Sequence, residues 1–214
     1  EGADLDMDGL PELLLGVAVS EGGGNPGLYI FEMDTTFAQD ENGSYTTYPF
    51  PADFPTAVYD VNANSGAPTC VFAGQLDTDP ETELVIGETH EDIVWVVEET
   101  GGDLSFPIFE VEFSDTLVYS PWGYYMGDLD NDGQTDWGIG TSDFNSVRLY
   151  ENVAGTEDAY DKIPELNVDD DVDGYTNRGL VAADINGDNL GELYYVRYTS
   201  PGKVYAIANP GEIS

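Results

Sequence analysis

One nine-residue pattern, present four times, constrains this chain more than any other feature. The segments are Asp4-LDMDGLPELLLG, Gln75-LDTDPETELVIG, Asp128-LDNDGQTDWGIG and Asp184-INGDNLGELYYV. Each sets oxygen-bearing side chains at positions 1, 3, 5 and 9 and then runs into a short apolar segment. The starts lie 71, 53 and 56 residues apart, which leaves room for about four short strands per repeat. Periods of this size point to propellers or arrays.

The flanks read as strands. Thr69-CVFAG, Tyr124-YMG and Gly179-LVAAD precede the last three motifs. Leu13-LLGVAV and Leu28-YIFEM follow the first, and Trp137-GIG and Ser146-VRLYE follow the third. Val, Ile, Tyr, Phe and Thr fill these runs, and turn residues bound them. No window of about 12 residues carries a helical stripe, and 25 Gly and 12 Pro interrupt the chain too often for long helices. The expected fold is all-β, a β-propeller or propeller-like array of about four blades with an acidic loop between the first two strands of each. The chain reads as one repeat domain, with blades near 1–65, 66–120, 121–176 and 177–214. The strand before the first loop is expected to be missing or nearly so, and Lys203-VYAIA runs into Asn209-PGEIS with no fourth strand. Such ends imply a piece of a larger array, or two incomplete blades that complete each other within one chain or between neighbours. With no initiator Met and no signal-like start, a mature chain or a piece of one is expected.

The loops are spaced to wrap a hard cation. Positions 1, 3 and 5 supply side-chain oxygens, position 7 its carbonyl, and position 9 closes the shell. Ca²⁺ takes six to eight oxygens in irregular geometry, whereas Mg²⁺ demands an octahedron and keeps its waters. The first loop offers Asp4, Asp6, Asp8, the Leu10 carbonyl and Glu12; the third offers Asp128, Asp130, Asp132, the Gln134 carbonyl and Asp136. The fourth offers Asp184, Asn186, Asp188, the Leu190 carbonyl and Glu192. Position 6 must turn sharply, and Gly9, Gly133 and Asn189 suit a positive φ. The second loop is degraded. Gln75 replaces the first Asp and Pro80 stands at position 6, where its fixed negative φ forbids that turn, which leaves Asp77, Asp79 and Glu83 for a weaker or altered site. Three to four Ca²⁺ ions are expected. A further cluster, Asp169-DDVDG, reads as an inter-blade loop, with an extra cation site as the other reading.

An EF-hand needs a bidentate Glu at position 12, but these loops carry Leu15, Ile86, Ile139 and Tyr195 there, and strands flank them. The arrangement of strand, D-x-D-x-D-G-x-x-D/E loop and apolar strand ending in Gly resembles the FG-GAP (VCBS-type) repeat of integrin α-subunit propellers and many secreted microbial proteins. The resemblance covers nearly the whole chain. It implies that each loop joins the first two strands of a blade and binds Ca²⁺ through the Asp, Asn and Glu residues named above. Gln75, Pro80, the incomplete end blades and a count of four depart from that pattern, where seven blades are common.

Charge bounds the partners. There are 43 acidic and 5 basic residues, a net charge of −38, so nucleic acid and anionic membrane are repelled rather than bound. A content of 41 % hydrophobic and 12 % aromatic residues is too apolar for a disordered acidic tail. The longest apolar run, Leu13 to Val19, is far short of the ~18 residues that span a bilayer. Cys70 stands alone, which excludes an internal disulfide, and it reads as a small buried hydrophobe. His90 reads as a surface loop residue, and Asn42-GS as a chance glycosylation tripeptide. Trp95, Trp122, Tyr124 and Tyr125 read as core or cross-strand packing, with sugar stacking as the other reading. No hydrolase elbow, zincin, Walker or Rossmann pattern is present. The expectation is a secreted or cell-surface, calcium-stabilised module for adhesion or extracellular assembly, not an enzyme. Its partner would be a protein or glycan ligand, with head-to-tail self-association a further expectation. The alternative is a carbohydrate-binding module of a larger secreted enzyme, and a third reading is a hydrolase with carboxylates at the propeller mouth.

Overall fold

The computed structural model describes residues 2–3, 12–17, 27–32, 68–89, 92–101, 108–117, 120–141, 146–153, 156, 159–162, 166–167, 175–198 and 203–207. Among them there is no helix, and the strands form four antiparallel sheets in chain order. The first holds β1 (Gly2–Ala3), β2 (Glu12–Val17) and β3 (Gly27–Glu32). The second holds β4 (Pro68–Gly74), β5 (Glu83–Glu88), β6 (Ile93–Gly101) and β7 (Ile108–Thr116). The third holds β8 (Pro121–Gly127), β9 (Asp136–Thr141), β10 (Ser146–Asn152) and β11 (Tyr160–Lys162), and β12 (Leu166–Asn167) also pairs with β10. The fourth holds β13 (Tyr175–Ala183), β14 (Glu192–Tyr198) and β15 (Lys203–Ile207). Each sheet is one repeat, and each acidic loop joins its first two strands.

The sheets pack face to face around three cores. Leu14 and Leu28 of the first sheet meet Ala73, Leu84, Ile86 and Val97 of the second. Phe72, Val85, Val94 and Val96 of the second meet Trp137, Ile139, Tyr150 and Tyr160 of the third. Val147 and Leu149 of the third meet Leu180, Leu193 and Tyr195 of the fourth. Side chains of β5 therefore alternate between two cores. That is why Leu84-VI is apolar throughout rather than alternating, as for any strand covered on both faces. The middle core is aromatic. Trp137 stacks on Tyr150 with ring centres 4.1 Å apart, and Phe113 meets Tyr150 edge-on at 5.5 Å.

Two glycines set the spacing between sheets. A Cβ on Gly16 would lie 2.6 Å from the Pro68 carbonyl oxygen, and one on Gly87 would lie 2.8 Å from the Pro121 ring. Both glycines stand at position 13 of their repeats and meet the proline that opens the next sheet. Any side chain there would force the sheets apart. A polar tie joins the second and third sheets as well. Asp115 on β7 accepts from Arg148 (2.8 Å), Tyr150 (2.9 Å) and Lys162 (2.9 Å). Burial alone would raise the Asp115 carboxyl, but these bonds and the two cationic charges outweigh it and hold it below its usual range.

Among the described residues, one face of the fourth sheet is apolar and exposed. Val181, Val196 and Val204 are each more than half exposed, and Val196 pairs with Val204 across β14 and β15.

Candidate metal centres

The third loop shows how the pattern folds. Asp136 opens β9, and its Oδ2 accepts the Leu129 N–H (2.6 Å), which draws position 9 back over position 2. The Asp128 carboxylate accepts the N–H groups of Asp132 (3.2 Å) and Gly133 (3.0 Å). Asp130 accepts from Asp132 (3.2 Å), and Asp132 accepts from Gln134 (2.8 Å). This winding needs two left-handed residues, Asn131 (φ 64°) and Gly133 (φ 95°). The turn expected at position 6 is present, and a second one at position 4 was not anticipated. Asparagine and glycine are the residues that enter this region at low cost. Asp128, Asp130 and Asp136 end with carboxylate oxygens within 4.8 Å of one another.

The fourth loop repeats the winding, with Gly187 (φ 83°) and Asn189 (φ 69°) at the same two positions. Asp184 accepts from Gly187 (2.6 Å), Asp188 (3.2 Å) and Asn189 (3.0 Å), and Glu192 accepts from Ile185 (2.9 Å). Leu190 is held through its N–H by Asp188 (2.9 Å). Asp184, Asp188 and Glu192 converge. Asn186 places its amide nitrogen between two of them, donating to Asp188 (2.9 Å) and Glu192 (2.6 Å). The third and fourth loops touch, since Gly191 N–H donates to the Leu129 carbonyl at 2.7 Å.

The second loop lacks both left-handed residues. Gln75 Nε2 donates to the Asp79 carbonyl (2.5 Å), so an amide closes the loop where a carboxylate does in the others. The position-9 bond survives, from Leu76 N–H to Glu83 Oε2. Asp77, Asp79 and Glu83 still converge. Of the first loop, Asp4, Asp6, Asp8, Gly9 and Leu10 lie outside the described residues, and Glu12 heads β2 opposite Ala3 and Glu32 in register. The Asp169 cluster, His90, Asn42 and Asn209 onward also lie outside them.

Glu83 Oε1 and Asp136 Oδ1 are buried with no hydrogen-bond partner, on side chains 0 % and 1 % exposed. Burial, with the charges of Asp130, Asp128 and Asp132 behind it, pushes the Asp136 carboxyl up to about 7. Burial, with Asp77 and Asp79 adding to it, pushes Glu83 up to about 8. Asp79 rises to about 6 through burial and the Asp77 charge. A buried carboxylate with an open lone pair and no cation is costly, and a hard divalent ion with oxygen ligands fits such a donor set.

Two residues outside the nine-residue pattern join these groups. Glu98 on β6 converges with Asp79 and Glu81, and Glu151 on β10 with Asp130 and Asp132. In the sequence Glu98 and Glu151 stand in the third apolar run of their repeats, as Glu32 does in the first, but the nine-residue spacing does not tie them to the loops. Two of the four aromatics pack against a core, and Tyr124 is stacked yet exposed. Trp95 lies against the first core and Tyr125 against the third, and Tyr124 stacks on Phe72 at 4.7 Å. Cys70 is buried and free of disulfide. Compared with known proteins, the chain matches no family model and no curated protein.

Proposed function

We propose that this is a calcium-stabilised, propeller-type repeat module of the FG-GAP kind, used outside the cell or on its surface for adhesion or assembly rather than catalysis. The observation that carries the reading is the pair of buried, unpartnered carboxylate oxygens on Glu83 and Asp136, side chains whose carboxylates converge with those of their own acidic loops. Four face-to-face sheets with the loop always between strands one and two are the arrangement such a module needs. A net charge of −38 makes cations part of the fold's stability rather than an accessory. Millimolar calcium, the extracellular level, saturates sites with dissociation constants up to about 10⁻⁴ M. The exposed apolar face of the fourth sheet, with Val181, Val196 and Val204, supports packing against another sheet, whether of a longer array or of a second copy.

Melting with calcium and with chelator tests the reading. Each site at a hundredfold excess over its Kd adds about 2.7 kcal/mol, and for a chain of this size 1 kcal/mol moves Tm by about 2–4 °C. Three sites therefore raise Tm by roughly 15–30 °C. An unchanged Tm on chelation overturns calcium as a structural cofactor.

A further inference from the structure

Strand register adds a carboxylate to the third loop that the nine-residue pattern lacks. Glu151 lies directly opposite Asp136 across the β9–β10 pair, so both side chains leave the same face of the sheet. Glu151 is 6 % exposed, and its Oε1 is buried without a hydrogen-bond partner. Its carboxylate converges with Asp130 and Asp132, and this group overlaps the Asp128, Asp130 and Asp136 group at Asp130 alone.

One ion does not account for this arrangement. The loop itself supplies side chains at positions 1, 3, 5 and 9 and a carbonyl at position 7, which with water fills the six to eight places around Ca²⁺. Charge points the same way. Asp128, Asp130, Asp132, Asp136 and Glu151 bring five negative charges together, and Asp161 faces Glu151 across β10–β11. One divalent ion leaves three of the five uncompensated, with Glu151 buried among them. The basic side chains of this sheet, Arg148 and Lys162, pair with Asp115.

We propose that the third loop binds a second divalent cation, held by Asp130, Asp132 and Glu151, with the Asp130 and Asp132 carboxylates shared between the two ions. An all-oxygen, carboxylate-only donor set selects a hard cation of the calcium class. The second sheet repeats the placement. Glu98 lies opposite Glu83, and it converges with Asp79 and Glu81. The first sheet sets Glu32 opposite Glu12 in register. The fourth breaks the series, because its last pair is Leu193 with Ile207 and the next residue in sequence is Ala208. The fourth loop therefore takes one ion.

The proposal rests on the calcium reading above, and the experiment separates the two. Calcium ions bound per chain are counted by native mass spectrometry and equilibrium dialysis for the wild type and Glu151→Gln, each stripped with chelator and returned to millimolar Ca²⁺. Glu151→Gln keeps the shape and removes the charge, and it binds one ion fewer. An equal count in the two proteins overturns the second cation and leaves the loop ions standing. A wild type that binds no calcium overturns the calcium reading itself, and the second cation with it. Crystals of the wild type grown in calcium give a readout that does not depend on the variant folding. Two anomalous peaks at the third loop and one at the fourth support the proposal, and a single peak at the third loop overturns it.

Discussion

The second and third loops start from one pattern and close in different ways. In the third, a carboxylate at position 1 gathers the backbone N–H groups of positions 5 and 6, and two left-handed residues bring those groups to face it. In the second, Gln75 donates where Asp128 accepts, and Pro80 has neither the N–H nor the φ for the turn. Yet both bring three carboxylates together, and both keep the bond from position 2 to the position-9 carboxylate. Position 9 opens a buried strand and is fixed by the sheet, whereas positions 1 and 6 belong to the loop alone. The sheet therefore supplies the anchor of the candidate site, and on the proposed calcium reading the loop sets how tightly an ion is held.

The largest test of that division removes the anchor from each loop. In calcium, Asp136→Ala loses an ion worth about 2.7 kcal/mol and leaves the buried Leu129 N–H unpaired at about 1–3 kcal/mol, roughly 4–6 kcal/mol together. Glu83→Ala leaves the Leu76 N–H unpaired in the same way but releases a more weakly held ion, so its cost in calcium is smaller. Denaturant midpoints in chelator bring the two variants together. Equal costs in calcium would break the comparison, because the second loop would then hold its ion as firmly as the third.

Proton linkage comes next in size and separates the same two side chains. Without metal, Asp136 at about 7, Glu83 at about 8 and Glu151 at about 7 hold protons more tightly folded than unfolded, where carboxyls titrate near 4. Burial is the first cause in each. The native state then binds more protons, so stability is full below about pH 4 and falls as pH rises to about 8. In chelator, Tm declines across that window; Glu83→Gln removes the part nearest pH 8, and Asp136→Asn the part up to pH 7. Saturating calcium, which competes with the protons, flattens the decline. A Tm in chelator that rises between pH 4 and 8 would show that these carboxyls are not the groups that govern the metal-free fold.

Repair of the second loop gives a smaller effect in the opposite direction. Gln75→Asp with Pro80→Gly restores the accepting carboxylate and frees position 6. A charged contact contributes about 1.5–3 kcal/mol, so calcium affinity at this loop rises roughly ten- to hundredfold by calorimetry. In chelator the same variant is less stable, since replacing Pro by Gly loosens the unfolded chain and the new carboxylate adds repulsion. An unchanged affinity would place the weakness of the second loop elsewhere.

Much of this was legible in the residues. Repeat spacing and β-rich runs mark the strands, because each loop is followed at once by a strand whose apolar residues must be buried. β5 carries apolar residues on both faces, which signals cover on both sides, and two cores supply it. The pattern marks the loop carboxylates, since spacing of two along a tight turn sets them around one point. Glu98 and Glu151 were not legible as members of the sites, although the letters were in view. Their places depend on pairing between β5 and β6 and between β9 and β10, and register across a hairpin of variable length is not encoded in local spacing. The left-handed position 4 was missed for a related reason. Asn131 and Gly187 are ordinary loop residues until the N–H groups beyond them are seen turning to one carboxylate.

That position supplies the smallest test. Asn131 holds φ at 64°, a region that costs a residue with a Cβ about 1–2 kcal/mol unless a short polar side chain or none at all eases it. Asn131→Ala loses that easing and is destabilised by about 1 kcal/mol, whereas Asn131→Gly is neutral or slightly stabilising. Thr78 stands at position 4 of the second loop and is not left-handed, so Thr78→Ala stays within about 0.5 kcal/mol of the wild type. Chemical denaturation in calcium resolves the difference, and calorimetry adds a second reading. Asn131→Ala also lowers calcium affinity at the third loop, because the N–H groups of Asp132 and Gly133 no longer hold the Asp128 carboxylate in place. A Thr78→Ala variant as damaged as Asn131→Ala would mean that the two loops share one backbone path despite Pro80, and the division between sheet-held anchor and loop-set affinity would fall with it.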